Sequence, residues 1–278
     1  MTQAADPQTL FAIRGQTAVI TGGTGVLGRE MALALGAAGA RVAVLARKIA
    51  DCEEVAGAIR AGGGEALGAA ADVTDRSSVE RAAGEVAVRF GAADILINAA
   101  GGNAPRATTG AERTFFDLDP SALEDVLRLN LVGTITCCQV FGRGMAERET
   151  GCIVNVASMN ALRPLTRIPA YSAAKAAVAN FTQWLAVHMA QEYSPRIRVN
   201  ALAPGFCLTE QNRYLLTDSA TGEWTPRGQA IIGHTPASRL GEPQDLIGTL
   251  LWLVSPASSF VTGVVVPVDG GFSAYGGI

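Results

Sequence analysis

The sequence predicts an α/β protein built as one domain around a doubly wound parallel sheet of about seven strands. Near-continuous apolar runs are typical of strands covered on both faces, and helical patterns separate these runs along the chain. Such alternation predicts parallel strands joined by right-handed crossovers. The predicted strands are 17–21, 41–46, 65–71, 94–98, 152–157, 196–201 and 264–268. The predicted helices are about 26–38, 50–61, 76–90, 121–147, 171–191 and 243–254.

Composition narrows the class of protein. The chain has 278 residues, of which 49% are hydrophobic and 17% charged, with a formal net charge of −3. These values argue against disorder, and the lack of a basic stripe or basic amphipathic helix argues against binding nucleic acid or a membrane. The five cysteines form no CxxC pair and no signal-like segment precedes them, which predicts reduced thiols in the cytoplasm. With only two distant histidines, we expect no metal site.

Two long stretches interrupt the alternation, at 101–120 and 205–240. Both follow predicted strand ends, which is where ligands bind in open α/β sheets. Long loops in a compact domain commonly close over a site. Within the single domain 1–278, we therefore expect the stretch at about 205–240 to form a substrate lid.

A glycine-rich turn follows the first predicted strand. Residues 21–28 are Thr-Gly-Gly-Thr-Gly-Val-Leu-Gly, in which Gly23, Gly25 and Gly28 satisfy the dinucleotide pattern GxGxxG. Such a turn brings backbone close to a pyrophosphate, and the helix that follows offers free N–H groups. A purely structural turn is the alternative. Its place after a strand, at the start of a βαβ series, favours a nucleotide site.

The second predicted strand ends in two cations, Arg47 and Lys48, and no carboxylate follows until Asp51. NAD sites usually carry an acidic residue here, whereas adjacent cations suit a 2′-phosphate. The cofactor is therefore predicted to be NADP or NAD, with NADP favoured. NAD stays open because one arginine can also stack on adenine. The alternative for both residues is solvated charge at the start of a helix.

A second group of residues carries acid–base chemistry. Tyr171 and Lys175 are spaced i, i+4 on one predicted helix, and Ser158 follows the fifth strand. A neighbouring cation favours tyrosine's phenolate, and a serine hydroxyl can donate to a developing alkoxide. Lysine is rare in this chain, because Lys48 and Lys175 are the only two among 22 basic residues. The group is therefore predicted to reduce or oxidise a carbonyl or hydroxyl.

With these motifs, the chain resembles a short-chain dehydrogenase/reductase over nearly its whole length. The pattern also includes Asn130, Pro204-Gly205 and Asp269-Gly270-Gly271. The resemblance implies a Rossmann-type sheet, a homotetramer, and catalysis by Asn130, Ser158, Tyr171 and Lys175. One departure is that the usual family turn has glycine at the position of Val26. With the two cations above, the expected cofactor contacts are Gly22, Thr24, Gly25, Val26, Leu27, Gly28, Arg47, Lys48, Asp72, Val73, Asn98, Ala99, Ala100, Gly101, Tyr171, Lys175, Pro204, Gly205, Phe206 and Thr209.

Within the family, several stretches resemble the D-mannonate oxidoreductase (fructuronate reductase) group, at 100–103, 115–119, 158–161, 180–185, 203–206, 211–213 and 270–275. A sugar-acid substrate carries a carboxylate and several hydroxyls, which arginine and amide side chains can bind. The candidate substrate contacts are Asn103, Asn160, Arg163, Arg167, Gln211, Asn212 and Arg213. A solvated surface charge is the alternative for each arginine.

Two other functions are weighed against sugar-acid reduction. The first is reduction of another carbonyl, such as a 3-oxoacyl thioester, gluconate or another polyol. The polar character of the predicted lid disfavours large apolar substrates. The second is a non-catalytic protein that senses the cofactor. The presence of Tyr171, Lys175, Ser158 and Asn130 together disfavours this second alternative.

Overall fold

In the computed structural model of the chain, residues 6–208, 216–218 and 221–277 are described. A sheet of seven strands forms the centre, in the order β3-β2-β1-β4-β5-β6-β7 with every pairing parallel. The predicted single-domain α/β fold with seven parallel strands is confirmed. The strands are β1 (Thr17–Thr21), β2 (Arg41–Ala46), β3 (Glu65–Ala70), β4 (Ile95–Asn98), β5 (Gly151–Val156), β6 (Ile197–Pro204) and β7 (Val265–Val268).

The strand order reverses between β1 and β4, which leaves a crevice at their carboxyl ends. Helices connect the strands and cover both faces of the sheet. These helices are α1 (Pro7–Leu10), α2 (Val26–Ala37), α3 (Ile49–Ala61), α4 (Arg76–Phe90), α5 (Pro120–Leu127), α6 (Gly133–Glu147), α7 (Pro169–Glu192), α8 (Pro226–His234) and α9 (Ile247–Val254).

The core has two layers, because neighbouring residues of each strand point to opposite faces. On one face Ile20 packs with apolar residues of α2, α3 and α9, including Leu35 and Leu250. On the other face Val19 packs with α4, α6 and α7, including Phe141. Burial on both faces explains why the strands were visible in the sequence as continuous apolar runs.

The predicted helix 121–147 is wrong in one respect, because the structure divides it. A π-helical turn, Arg128–Val132, separates α5 from α6. Asn130 in this turn is fully buried and its Nδ2 donates to the carbonyl oxygen of Gly102 at 2.7 Å. The periodicity of apolar residues along a helix cannot reveal such a long-range hydrogen bond. The break therefore has no local signal.

The two long loops contain some regular structure. Short 3₁₀ turns occur at Pro105–Ala107 and Phe115–Asp117, and the stretch 205–240 includes α8. Helix α8 is capped by the side chain of Thr225, which accepts from the N–H of Gly228. Helix α8 packs through Ile231 against Phe206 and Leu208, which follow the carboxyl end of β6. Among the helices of the described residues, none combines the length and apolar character that crossing a membrane requires.

Candidate active site

The glycine turn after β1 packs against the strand that lies beside it in the sheet. Gly22 has a φ of +64°, and a Cβ there would lie 2.7 Å from the Cα of Ala100. A Cβ on Gly28 would collide with the carbonyl oxygen of Gly22. Both glycines are therefore required for the close packing of the turn, the helix and the crevice.

Helix α2 begins directly at this crevice. Its N-cap is Gly25, and no side chain caps its first turn, which contains Val26 and Leu27. First-turn N–H groups lack intrahelical acceptors and carry the positive end of the helix dipole. Gly25 is also open, because a Cβ there would approach Gly22's carbonyl oxygen no closer than 3.4 Å. The turn thus fits a pyrophosphate, although its glycine falls at Gly25 instead of at Val26.

The adenosine half of a dinucleotide would meet the ends of β2 and β3. Arg47 and Lys48 are exposed there, and neither head group pairs with another described residue. Asp72 uses Oδ1 to accept from the N–H and hydroxyl of Thr74, at 2.9 and 2.7 Å. Val73 is buried against Gly133. All four residues follow the carboxyl ends of β2 and β3, and their contact with a cofactor stays a prediction.

Asn98 requires a correction. Its side chain is 2% exposed, and its Nδ2 donates to Asn155 Oδ1 at 2.8 Å inside the sheet. This side chain therefore ties β4 to β5, so that only the backbone of Asn98 is placed to meet a cofactor. The backbone just beyond it remains at the crevice, where Ala100 donates its N–H to the hydroxyl of Thr21 at 3.2 Å.

The segment after β6 is held in place by two neighbouring loops. The N–H of Gly205 donates to the carbonyl oxygen of Val268 at 3.0 Å, and a Cβ on Gly205 would lie 2.5 Å from the Cα of Asp269. Phe206 accepts from the N–H of Gly241 at 2.8 Å. Together with Pro204, this backbone lies at the carboxyl edge of the sheet, and its contact with a cofactor stays a prediction. Thr209 lies outside the described residues.

Ser158, Tyr171 and Lys175 come together at the carboxyl end of β5. Tyr171 and Lys175 lie on the first turns of α7, with Lys175 Nζ 5.6 Å from the centre of the Tyr171 ring. Lys175 is 4% exposed and donates to the carbonyl oxygen of Val156 at 2.8 Å. The Ser158 hydroxyl lies near enough to the Tyr171 phenol to influence its pKa. The arrangement expected from the spacing is therefore present.

Burial sets the protonation of this group. It raises the pKa of the Tyr171 phenol, and the neighbouring Ser158 hydroxyl acts in the opposite direction. It lowers the pKa of Lys175 from 10.5 to about 8. At neutral pH the phenol keeps its proton, and the lysine carries a charge that is costly to bury. Tyr171 can thus donate a proton, and the cation 5.6 Å from its ring favours the phenolate that remains.

Asn130 lies behind this group. A Cβ on Gly101 would lie 2.6 Å from Asn130 Oδ1 and 3.1 Å from Lys175 Nζ. The absence of a side chain at Gly101 therefore lets the amide and the ammonium group approach one backbone segment. π-Helical turns occur frequently at functional sites, and this one places Asn130 beside Lys175.

Asn160 also requires a correction. It is 5% exposed, its Nδ2 and N–H both donate to Ser158 Oγ at 3.2 Å, and its Oδ1 accepts from Leu165 and Ser172. Its buried amide therefore orients Ser158 and ties it to Leu165 and Ser172, which is a positioning role and not an exposed substrate contact. Because Ser158 Oγ accepts both bonds from Asn160, its own hydrogen remains available to donate.

Three other candidate substrate residues are described and are more accessible. Asn103 is exposed and donates to the hydroxyl of Thr108 at 2.8 Å. Arg167 has a φ of +74° and accepts through its carbonyl oxygen from Thr109. Arg163 Nε donates to the carbonyl oxygen of Ser273 at 3.1 Å. Gln211, Asn212 and Arg213 lie outside the described residues.

The C-terminal segment contacts α8 and the loop after Ser158, and these contacts were not predicted from the sequence. His234, at the end of α8, lies between two rings, with centroids 4.6 Å from Phe272 and 5.0 Å from Tyr275. The N–H of Ala237 donates to the carbonyl oxygen of Gly270 at 3.0 Å. The aromatic residues after the last strand were a visible signal, but the contact partner could not be read from them.

The sheet, the glycine turn and the Ser–Tyr–Lys group define an oxidoreductase that uses NAD or NADP. A family model described as short chain dehydrogenase matches residues 16–220, and the chain belongs to this family. The chain is 48% identical over 275 residues to the uncharacterized oxidoreductase UxuB of Bacillus subtilis, covering 96% of this chain and 98% of that protein.

Solved structures agree with this assignment. A protein from Haemophilus influenzae, proposed to be a D-mannonate oxidoreductase and solved with bound NAD, is 42% identical with a TM-score of 0.91. That similarity covers 98% of this chain and 100% of the other. A gluconate 5-dehydrogenase from Burkholderia cenocepacia, in complex with NADP and tartrate, is 31% identical with a TM-score of 0.86. It covers 97% of this chain and 100% of the other.

Proposed function

We propose that this oxidoreductase transfers hydride between a nicotinamide cofactor and the carbonyl or hydroxyl of a sugar acid, the pair D-fructuronate and D-mannonate being favoured. The observation that carries the proposal is the position of Arg163. It follows Ser158 by five residues, and its Nε is bound to the carbonyl oxygen of Ser273. Its two Nη groups have no hydrogen-bond partner among the described residues and can hold a carboxylate in a fork.

The catalytic roles follow from the hydrogen bonds. Ser158 Oγ, oriented by Asn160, would donate its hydrogen to the substrate oxygen. The protonated phenol of Tyr171 would give its proton to the same oxygen as the bond to carbon becomes single. The reduced nicotinamide supplies the hydride. Lys175 would stabilise the resulting phenolate, and Asn130 would hold the backbone at Gly101 and Gly102 beside it.

The relatives support a polar, oxygen-rich substrate. The proteins from Haemophilus influenzae and Burkholderia cenocepacia carry the names D-mannonate oxidoreductase and gluconate 5-dehydrogenase, both of which denote sugar acids. The second name supports gluconate or a related polyol acid as the alternative substrate. Both alternatives use the same residues, so the catalytic proposal does not depend on which sugar acid is correct.

A direct assay separates these substrates. Reduced-nicotinamide absorbance is followed with D-fructuronate, 5-keto-D-gluconate and a 3-oxoacyl thioester at equal concentrations. We expect the largest kcat/KM for D-fructuronate. A larger value for 5-keto-D-gluconate would replace the substrate within the same class. Turnover of the thioester alone would overturn the sugar-acid proposal.

For the cofactor, we propose NADP over NAD, with Arg47 and Lys48 binding the 2′-phosphate. Both cations are exposed where the ribose of an adenosine would lie, and no carboxylate stands beside them at the end of β2. The relative from Haemophilus influenzae was solved with bound NAD, and this observation favours NAD. The ratio of kcat/KM for NADPH and NADH decides between them, and a ratio below one would overturn the preference.

We also propose a cytoplasmic homotetramer. Along α7, Phe181, Trp184 and His188 form a surface column, with ring centroids 6.2 and 4.7 Å apart, that ends at Tyr193. This column lines a groove of about 830 Å³ between α6 and α7, and Trp184 is 57% exposed. Exposed aromatic surface of this kind suits a subunit interface. We expect Trp184→Arg to lower the mass measured by light scattering, and an unchanged mass would contradict the proposed interface.

A further inference from the structure

A cavity of about 500 Å³ lies at the amino ends of the strands, at the edge of the sheet opposite to Ser158 and Tyr171. It is lined by residues that precede or open four strands, among them Gln16, Asp94, Thr150 and Arg198. Nothing in the proposed reaction uses this edge. The cavity is therefore separate from the crevice that would hold cofactor and substrate.

The cavity contains a buried cation that has no carboxylate partner among the described residues. Arg198 is 9% exposed, and its Nη1 donates to the carbonyl oxygen of Leu253 at 2.9 Å and to Ser258 Oγ at 2.8 Å. Its Nη2 donates to the carbonyl oxygen of Ser255 at 3.2 Å. All of these acceptors are neutral. Burial of a charge is costly unless it is paired, so this guanidinium group favours binding of an anion.

The unused donors of Arg198 have the geometry of an anion fork. Its Nε has no hydrogen-bond partner within the described part of the chain, and one N–H of Nη2 is also left over. Nε is not among the fully buried atoms that lack a partner, so it retains some exposure, and Arg198 lines the cavity. The Nε and Nη2 edge of arginine is the one that binds carboxylate or phosphate with two parallel bonds.

The charged residues around Arg198 make the cavity more positive. Arg14 and Arg196 line the same cavity and are exposed. Asp94 is already engaged, because it accepts from the N–H of Thr17 and from Arg148, and Glu149 pairs with Arg196. These four arginines and two carboxylates leave two positive charges on a chain whose net charge is −3. A small dianion would balance them.

We propose that this cavity binds a phosphate-type dianion, either inorganic phosphate or the phosphate group of a small metabolite, through Arg14, Arg196 and Arg198. The site lies at the start of β5 and β6, whose opposite ends lead to Ser158 and to Pro204. The anion would bind the guanidinium groups by charge-assisted hydrogen bonds, with no covalent step.

Calorimetric titration with inorganic phosphate at constant ionic strength tests the proposal. Saturating NADP is present so that the glycine turn and the proposed 2′-phosphate site at Arg47 and Lys48 are both occupied. We expect saturable binding of one phosphate per chain, weakened about tenfold by Arg14→Gln and by Arg196→Gln. Arg81→Gln, an exposed arginine on α4, serves as the control and should leave the affinity unchanged.

Arg198→Lys probes the fork directly, since it keeps the charge and removes the second donor. If it does not fold, the two surface variants still decide the outcome. Absence of saturable binding to the wild-type protein would overturn the proposal. Binding that Arg14→Gln and Arg196→Gln leave unchanged would overturn it as well, since the phosphate would then occupy another site. Competition by a phosphorylated sugar but not by its unphosphorylated form would identify a metabolite as the ligand.

Discussion

The side chain of Asn130 hydrogen bonds to both polar groups of one peptide residue, Gly102. Its Nδ2 donates to the Gly102 carbonyl oxygen at 2.7 Å, and its Oδ1 accepts from the Gly102 N–H at 3.1 Å. The pairing joins the π-helical turn to the loop after β4, and it requires a bare Cα at Gly101. The geometry of the catalytic group and the packing of the backbone therefore both depend on Gly101, Gly102 and Asn130.

Gly101→Ala tests this relationship. The new Cβ would lie 2.6 Å from Asn130 Oδ1, so the amide has to move or the loop has to shift. We expect a loss of about 2 kcal/mol in unfolding free energy, which is typical of overpacking, and a fall in kcat. Gly102→Ala is the matched control for stability, because nothing lies within 4 Å of its Cβ position. Equal melting temperatures for the two variants would contradict the account.

Lys175→Met tests the cost of the buried ammonium group. The pKa of Lys175 is lowered to about 8, so between pH 8 and 10.5 the folded protein holds fewer protons than the unfolded chain. The destabilisation caused by burying the charge is complete below pH 8 and disappears as pH approaches 10.5. We expect Lys175→Met to gain roughly 3 kcal/mol more, relative to wild type, at pH 7 than at pH 10.5.

Urea unfolding without cofactor at pH 7 and at pH 10.5 provides the measurement. Lys48→Met is the matched control, since it removes the other lysine of the chain from an exposed position. Its stability difference from wild type should hardly change with pH. If the stability difference between Lys175→Met and wild type does not change with pH, burial of the Lys175 ammonium group does not destabilise the folded protein.

Arg163→Gln tests the proposed carboxylate contact. Loss of a charged hydrogen bond costs about 1.5–3 kcal/mol, which corresponds to a rise of roughly 10- to 100-fold in KM for a sugar acid. A neutral substrate of the same length should be little affected. Arg167→Gln, in the same loop, is the control, and a larger rise in KM for that variant would move the carboxylate to Arg167.

A double substitution, Arg47→Gln with Lys48→Gln, tests the assignment of the 2′-phosphate. Each cation that contacts the phosphate contributes a charge-assisted bond, so we expect KM for NADPH to rise at least tenfold. KM for NADH should stay within about twofold, and it serves as the internal control. An equal rise for both cofactors would show that the cations act on a part common to NADPH and NADH.

Much of the fold could be predicted from local sequence. The strands were placed within about three residues because burial on both faces leaves an unbroken apolar run, as in Ala18-Val19-Ile20. The helices predicted to begin at about 76 and 121 begin at Arg76 and Pro120, where Asp75 and Asp119 provide local capping. The glycine turn and the Tyr171–Lys175 pair carry their spacing in the sequence itself.

What remained hidden depends on contacts between distant segments. The π-helical turn at Asn130 arises from a bond to Gly102, twenty-eight residues earlier. Asn160 was interpreted as a substrate contact because its engagement with Ser172 is a tertiary feature. Arg198 gave no signal either, since its neutral acceptors come from the end of α9 and the turn that follows.

Tyr171→Phe tests the central claim that the phenol of Tyr171 supplies the proton in this oxidoreductase. The rate of reduced-nicotinamide oxidation is measured with D-fructuronate or with whichever sugar acid the wild-type enzyme reduces fastest. We predict a fall in kcat of about 10²–10⁴-fold, with cofactor affinity and melting temperature close to those of the wild type. A variant that keeps kcat within a few-fold of the wild-type value would contradict the account.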